Sequence, residues 1–398
     1  MQVPDHVTEG ARKDEGRSGR HPGRRPGRRG FFDWRALGAD LRAAVPDAAA
    51  ALVITGLIFV WLYVRVANGT SDTVEVMPMM ADEQRYWMYW LCQAFGWSGL
   101  LWAWITLVLG FSRSSARPGW LRLSVARHER WHRTTSLTTI GLIFAHAFMF
   151  FAELVYDNGE KLGWGGRLWS AFSETFVPGA YASGTGQVAI LIGLLAFYLA
   201  IPLALAYYLR RGTGPRLWRA LHRFILVVYV LSVWHTLLYG TNVWYGSWFR
   251  TLVWALQVPV TVLFLARLTA PARRSERLAR SGGMAVATRL AGRVLVAAGL
   301  IVLLAVTVSG RDGGRPHGGE TAEPFVTQEA LWIGFGALVV VLAIVTYRLR
   351  PTARPPSGRA PRPGVGPGVG PGADSGSGPD SGAGAGAGAG ESRSETPG

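Results

Sequence analysis

The chain has almost no cysteine. Cys92 is the one cysteine in 398 residues. A single cysteine excludes an intramolecular disulfide, a CxxC redox pair and an iron–sulfur cluster held by cysteines of this chain. A glycine-rich phosphate loop after a strand pattern is also missing, so the sequence shows no dinucleotide site. Any redox chemistry in this chain must therefore use another cofactor.

Charged residues are scarce as well. They make up 17% of the chain, against 49% hydrophobic residues, and they lie in patches between long apolar runs. This pattern is typical of a polytopic membrane protein rather than of one large soluble core. The formal net charge is +16, but the arginines flank apolar segments, mostly on alternate sides. Their location therefore indicates membrane topology and not nucleic-acid binding.

Eight apolar segments are each long enough to cross a hydrocarbon layer of about 30 Å. The sequence therefore predicts an all-α polytopic membrane protein with about eight transmembrane helices. The approximate limits of the segments are 46–66, 87–111, 134–152, 187–209, 221–240, 250–268, 291–309 and 329–347.

The connections between the segments differ in charge. The connection that follows the first segment is net acidic, whereas "SRSSARPGWLRLSVARHERWHR" and two later connections are basic. Because Lys and Arg collect on the cytosolic side, we expect both termini in the cytosol. Residues 1–45 are predicted to be a basic disordered cytosolic arm, since no cleavage site follows the arginine pair of "RRGFF". Residues 350–398 are predicted to be a disordered Gly/Pro/Ala-rich cytosolic tail.

Four of the eight histidines lie inside or beside two of the apolar segments. His132 and His146 are 14 residues apart, and His222 and His235 are 13 apart. At a rise of about 1.5 Å per residue, each spacing separates the two imidazoles by about 20 Å, which places one histidine near each leaflet. The remaining histidines are set aside: His6 and His21 in the arm, His317 in an outer loop, and His128, which we expect to be solvated.

The expected topology makes the two histidine-bearing helices parallel. His132 is then level with His222, and His146 with His235. An iron porphyrin held between two facing imidazoles fits this arrangement. Two alternatives stay open: a histidine at a helix end is often an interfacial hydrogen-bonded residue, and zinc also binds histidine. However, level pairs about 20 Å apart do not form one four-ligand zinc cluster.

The spacing of 13 residues fits an ideal helix poorly. At about 100° per residue, 14 residues leave about 40° between the side chains, whereas 13 residues leave about 140°. The sequence therefore predicts a distorted or tightened turn near His222, such as a short 3₁₀ stretch.

Four nearby residues are candidates for contact with a haem. Arg133 and Arg223 directly follow the cytosolic-side histidines, and Arg219 is close by, so they are candidates for pairing with haem propionates. They are equally explained as ordinary positive-inside arginines. Gly141 has no side chain that would keep a flat macrocycle away, although helix packing also favours small residues.

Residues 87–268 resemble the ferric reductase-like transmembrane domain. The resemblance lies in "RWHRTTSLTTIGLIFAH" and "WRALHRFILVVYVLSVWHTLLYGT". The family includes the membrane part of NADPH oxidases and ferric reductases and the haem-binding subunit of the bacterial periplasmic methionine sulfoxide reductase system. The resemblance implies two haem b groups, the inner one on His132 and His222 and the outer one on His146 and His235.

The resemblance leaves two parts of the chain unexplained. These are the first transmembrane helix with its outer loop, 46–86, and a transmembrane hairpin at 269–349. Unlike the oxidases, the chain shows no flavin- and nicotinamide-binding module after the last family helix. The resemblance therefore implies an electron-transfer subunit of an oxidoreductase that carries electrons from the cytosolic side to an acceptor outside.

The expected donor is a cytosolic flavoprotein reductase or a membrane quinone, and the expected acceptor is an extracytoplasmic molecule or redox partner protein. The outer loop 153–186 is the expected docking surface. Its Glu153, Asp157 and Glu160 are candidates for attracting a cation or a partner, although we expect them to be solvated. The Arg-, Gly- and Ala-rich composition favours a GC-rich bacterial genome and hence the bacterial inner membrane. The alternative is a non-redox membrane protein, namely a permease, scaffold or haem-binding sensor with structural histidines.

Overall fold

The computed structural model describes residues 31–114, 124–182, 186–242, 248–269 and 326–349, together with Leu290, Val294 and Ala298. These residues are helical apart from their connections, and no strand occurs among them. The helices are α1 Trp34–Ala67, α2 Asp72–Val76, α3 Trp87–Ser114, α4 Val125–Asp157, α5 Trp164–Phe176, α6 Gly186–Leu205, α7 Arg210–Thr213, α8 Pro215–His222, α9 Ile225–Tyr239, α10 Trp248–Thr269 and α11 Gln328–Leu349.

Seven spans in the described part of the chain are long and apolar enough to cross a membrane. They are α1, α3, α4, α6, the consecutive α8 and α9, α10 and α11. The chain is therefore an all-α, multi-pass membrane protein, as the sequence predicts. The segment expected at 291–309 lies outside the described residues except for two positions. The tail at 350–398 and most of the arm at 1–45 also lie outside them.

The first helix begins earlier than the sequence predicts. We expected a disordered arm up to residue 45, but α1 starts at Trp34, where the side chain of Asp33 accepts a hydrogen bond from the backbone N–H of Ala36 at 3.2 Å. Such a cap satisfies one of the unpaired N–H groups at a helix start. Pro46 then lies inside the helix instead of at its first turn. The predicted boundary was wrong because tertiary contacts stabilise the turns before the apolar run.

The bundle is organised around two helix pairs. α4 packs along α3, and α6 packs along α9. α1 lies against both α3 and α4, α10 lies against α3, and α11 contacts α6 and α8. A buried cluster that includes Leu107, Tyr229 and Val253 joins α3, α9 and α10. The two helical segments that carry the histidine pairs therefore lie within a bundle closed by α1 and α10.

The connection expected as a long outer loop at 153–186 is partly helical. α4 continues to Asp157 and ends at Asn158, which has the left-handed conformation that asparagine tolerates (φ 41°). A second helix, α5, follows within the connection. The expectation that Glu153 is solvated was wrong, because its side chain belongs to α4 and the residue is 4% exposed.

Candidate functional site

The inner histidine pair lies near the cytosolic end expected from the sequence. His132 is in the second turn of α4, and His222 is the last residue of α8. Their ring centres are 5.9 Å apart and the ring planes are nearly perpendicular, at 84°. His132 and His222 therefore lie level with each other, as the sequence predicts.

The outer pair has nearly the same geometry. The ring centres of His146 on α4 and His235 on α9 are 6.1 Å apart, with an interplanar angle of 74°. Along both segments the order of the histidines is the same: His132 pairs with His222, and farther along His146 pairs with His235. α4 and the α8–α9 segment therefore run parallel, and the two pairs are separated by about 20 Å along them.

The segment that carries His222 and His235 tightens between α8 and α9. A 3₁₀ step turns by about 120° instead of about 100°, so several such steps reduce the angular offset left by 13 residues. The tightening predicted from the spacing is confirmed, although it lies just after His222. Four backbone N–H groups donate to the carbonyl three residues earlier, at 2.9 to 3.4 Å: those of Arg223, Phe224, Leu226 and Val227.

Three of the four imidazoles are oriented by backbone carbonyls of neighbouring helices. Nδ1 of His132 lies 3.0 Å from the carbonyl of Thr106, Nδ1 of His146 lies 2.8 Å from that of Cys92, and Nδ1 of His235 lies 2.7 Å from that of Ala189. A carbonyl oxygen only accepts hydrogen bonds, so each Nδ1 carries the proton. Nε2 of each ring is then unprotonated, which is the tautomer usual for metal-ligating histidine.

A glycine lies four residues after each of these carbonyl groups. The ideal Cβ position of Gly96 is 3.0 Å from Nδ1 of His146, that of Gly110 is 3.2 Å from Cε1 of His132, and that of Gly193 is 2.8 Å from Nδ1 of His235. Without a Cβ at these positions, the imidazole approaches the helix closely enough to bond the carbonyl one turn earlier. We call this arrangement the carbonyl–glycine seat.

Sequence reasoning missed these three glycines and named another one. Gly141 lies about 180° around α4 from His132, is exposed, and has nothing within 4 Å of its ideal Cβ position. The structure therefore does not bring Gly141 to either pair. One signal was available, because Gly96 and Gly110 are 14 residues apart, as are His132 and His146.

The separation of the paired rings suits one metal ion between them. An imidazole nitrogen binds a metal at about 2 Å, and the ring radius adds about 1 Å on each side, so two rings on one ion need centres about 6 Å apart. Among the described residues, no group of three or more His, Cys, Asp or Glu side chains is placed to hold a metal. Each pair therefore offers two axial ligands, which is what an iron porphyrin takes from a protein.

Aromatic rings cover the outer pair. The ring of Tyr239 stacks on His235 with centres 6.3 Å apart, and its hydroxyl lies 3.1 Å from that of Tyr181. Tyr181 belongs to the connection between α5 and α6, and its ring lies against Gly186, the first residue of α6. The outer site is therefore closed from the water side by two hydrogen-bonded tyrosines.

The arginine next to the inner pair already has partners. Nη1 of Arg133 donates to the hydroxyl of Tyr207 at 2.6 Å, and Nη2 lies 3.6 Å from the carboxylate of Asp40. That carboxylate also accepts from Tyr208 at 3.0 Å. Burial, followed by the nearby Asp40 charge, raises the pKa of the Tyr208 hydroxyl, so it stays a donor. Asp40 on α1 therefore holds the His132 end of α4 through Arg133.

The other residues near the inner pair occupy different settings. Arg219 is half-buried in α8, and Arg223 is exposed at the end of that helix. The expectation that His128 is solvated was wrong: it is 6% exposed, and its Nε2 lies 2.8 Å from the carbonyl of Leu109 and 3.2 Å from the hydroxyl of Ser112. His128 belongs to the α3–α4 packing and to neither pair.

The family comparison covers the helices that form both pairs. Residues 95–233 match the family model described as Ferric reductase like transmembrane component. This segment belongs to the ferric reductase-like transmembrane family. The match covers about a third of the chain and confirms the resemblance seen in its motifs. No curated protein and no solved structure matches the chain.

The ferric reductase-like domain contains most of the candidate site. His132, His146 and His222 lie inside the matched range, and His235 lies two residues beyond its end. The three seat glycines also lie inside it. The domain makes this protein a membrane electron-transfer component in general terms. α1 and α11 lie outside the match, and α1 reaches the site through Asp40.

Proposed function

We propose that this protein is a di-haem membrane cytochrome b that carries electrons from a donor on the cytosolic side to an acceptor outside. His132 and His222 hold the inner haem, and His146 and His235 hold the outer one. Each bound haem supplies an iron that changes between the ferric and ferrous states by one electron. The chain supplies two fixed axial ligands per site and a helical bundle that keeps water away.

The observation that carries this proposal is the pairing of imidazoles at two levels. The ring centres are 5.9 Å apart in the inner pair and 6.1 Å apart in the outer one. Three of the rings have Nδ1 turned to a backbone carbonyl, which leaves Nε2 for iron. A structural histidine in a membrane helix needs neither a facing imidazole nor a proton held on Nδ1 by a carbonyl, so the paired geometry favours ligation.

The ligand set also argues against substrate chemistry at the iron. If both imidazoles of a pair bound one iron, no coordination position would remain for a substrate. The protein then acts as an electron-conducting subunit, and reduction of the final acceptor takes place at a haem edge or on a partner. The donor is a flavoprotein reductase in the cytosol or a quinone in the membrane.

The charge pattern supports the orientation. Arg133 and Arg223 directly follow the two histidines of the inner pair, and Arg219 lies three residues before His222. The connection after α1 is net acidic. By the positive-inside rule, the inner pair faces the cytosol of a bacterial inner membrane, and both termini are cytosolic. Arg133, Arg219 and Arg223 are then the cations available to haem propionates.

The spectrum of the purified full-length protein tests the proposal. We expect b-type bands in the reduced-minus-oxidised difference spectrum and roughly two haems per chain, one for each histidine pair. A folded protein without these bands would contradict the proposal and favour a non-redox permease or scaffold. A b-type spectrum with only one haem would contradict the two-site arrangement.

A further inference from the structure

The outer site has a buried carboxylic acid on its water side. Glu153 lies seven residues after His146 on α4, which places it on the same face within about 20° and about 10 Å farther outward. The residue is 4% exposed. Glu153 is therefore enclosed in protein between the outer histidine pair and the end of α4.

Among the residues that the structure describes, neither carboxyl oxygen of Glu153 has a hydrogen-bond partner. The backbone N–H of Tyr89 faces the carboxyl, but it donates to the carbonyl of Tyr86 at 3.0 Å. Burying an ionised carboxylate without hydrogen bonds or a paired cation is costly. Its charged form is thus poorly stabilised here, and uptake of a proton removes the cost.

The neighbouring charges do not neutralise Glu153. Arg85 acts on Glu153 electrostatically, but its Nη2 bonds the carboxylate of Asp157 at 3.0 Å. Asp157 is exposed one turn beyond Glu153, so the water-exposed end of α4 lies about one turn from the buried carboxyl. Toward the outer side, the helices packed against α4 also carry Tyr89 and Cys92 on α3, Arg167 and Glu174 on α5, and Tyr63 and Arg65 on α1.

Of these groups, the charged ones on α5 and α1 have partners of their own. Arg167 donates to the carbonyls of Val155 and Tyr156, and Glu174 accepts from Ser170. Arg65 is paired with Asp72 at 3.0 Å. Glu153 is therefore a buried carboxyl group on the outer side of His146 for which the described residues provide no ion pair.

We propose that Glu153 exchanges protons in step with the outer electron site. Its carboxylate takes up one proton from the outer water when that site gains one electron, and releases the proton when the electron leaves for the acceptor. This inference rests on the proposed function. One unit charge at about 10 Å, with an effective dielectric constant of about 20, changes the proton affinity of a carboxylate roughly tenfold or more. Proton uptake offsets the negative charge that the electron brings into the bundle.

A redox titration at several pH values tests the coupling. The full-length protein is titrated optically, and the His222→Leu variant, which keeps the outer pair, identifies the outer midpoint. In the wild type we expect the outer midpoint to fall as pH rises. In Glu153→Gln it stays at its low-pH value throughout, because the amide remains neutral. Glu160→Gln is the matched control, an exposed carboxylate seven residues further along, and it keeps the wild-type pH dependence.

A second measurement needs no variant. The infrared difference spectrum of the wild type between its oxidised and reduced states should gain the C=O band of a protonated carboxyl, and this band should shift in D₂O. Two haems with a pH-independent outer midpoint, an unchanged pH slope in Glu153→Gln, or a missing carboxyl band would each overturn the role of Glu153. Absence of haem would instead overturn the proposed function, so the two failures are distinguishable.

Discussion

Gly193 lies so close to His235 that a Cβ at position 193 would be 2.8 Å from Nδ1 of the imidazole. The same Nδ1 is 2.7 Å from the carbonyl of Ala189, one turn before the glycine. The close approach and the hydrogen bond depend on each other, because a side chain at 193 would push the ring away from the carbonyl. The seat repeats at Gly96 and Gly110 on α3, where it receives the two histidines of α4.

The first prediction tests this seat. Gly193→Ala should displace the ring of His235 and lower the haem content from two to roughly one per chain, since an added Cβ below 3.0 Å forces a shift. Pyridine haemochrome analysis of the purified variant measures the loss. Gly56→Ala on α1 is the control, because nothing lies within 4 Å of its Cβ position. A Gly193→Ala protein with two haems and the wild-type spectrum would show that the seat does not orient the ligand.

The second prediction separates the two pairs. His146→Leu or His235→Leu should leave roughly one haem with the properties of the inner site, and His132→Leu or His222→Leu should leave the outer one. Potentiometric titration distinguishes the two remaining haems by their midpoints. His128→Gln is the control, a change of a buried histidine of α4 that belongs to neither pair. Loss of both haems from every variant that stays folded would argue against two independent sites.

The third prediction concerns the contact between α1 and the inner pair. Asp40→Asn removes the negative charge that lies 3.6 Å from Arg133, while its amide oxygen still accepts from Tyr208. The uncompensated arginine should stabilise the reduced inner haem. We expect its midpoint to rise by up to about 59 mV, a tenfold change for one electron, with the outer midpoint unchanged.

The control for the third prediction is Asp47→Asn on the same helix. Asp47 accepts from the indole N–H of Trp102 at 3.2 Å and lies two turns further along α1. Its replacement should leave the inner midpoint unchanged. Equal shifts in Asp40→Asn and Asp47→Asn would mean that the effect is the general charge of α1 and not the ion pair with Arg133.

The fourth prediction concerns a buried polar cluster that ties α2 to the end of α9. The hydroxyl of Thr241 is 2.5 Å from that of Thr73 and accepts from the amide of Gln93 at 3.0 Å. Thr241→Val removes both bonds, so the side-chain amide of Gln93 loses this acceptor. We expect the free energy of unfolding to fall by about 1–3 kcal/mol. We expect a lower melting temperature by differential scanning calorimetry with both haems retained. Thr70→Val, at an exposed position, should leave the melting temperature nearly unchanged.

The helical framework and the level pairing of the histidines follow from local properties of the chain. The length of an apolar run sets the membrane span, and the constant rise of a helix sets the distance from His132 to His146. The spacing from His222 to His235 even predicts the tightened turn at Arg223 and Phe224. In a regular α-helix, residues 13 apart point in different directions, so both imidazoles can face α4 only if the segment tightens between them.

The surroundings of the site depended on contacts between distant segments. Whether a glycine faces an imidazole depends on the rotation of one helix against another, so Gly141 was named where Gly96, Gly110 and Gly193 are the close neighbours. The sequence placed the start of α1 too late, because its first turns are stabilised by contacts of Asp40 with Arg133 and Tyr208, which lie far along the chain.

From the sequence alone come the all-α membrane architecture and the two levels of paired histidines, since both are set by composition and periodicity within single segments. The resemblance to the ferric reductase-like family also comes from the sequence, through two histidine-bearing motifs. The tertiary structure decided which carbonyls orient the rings, which glycines admit them, and that Glu153 is buried with no hydrogen-bond partner among the described residues. These features depend on how α3, α5, α6 and α1 pack around α4 and α9, because burial and hydrogen-bond partners are properties of neighbouring helices and not of one helix.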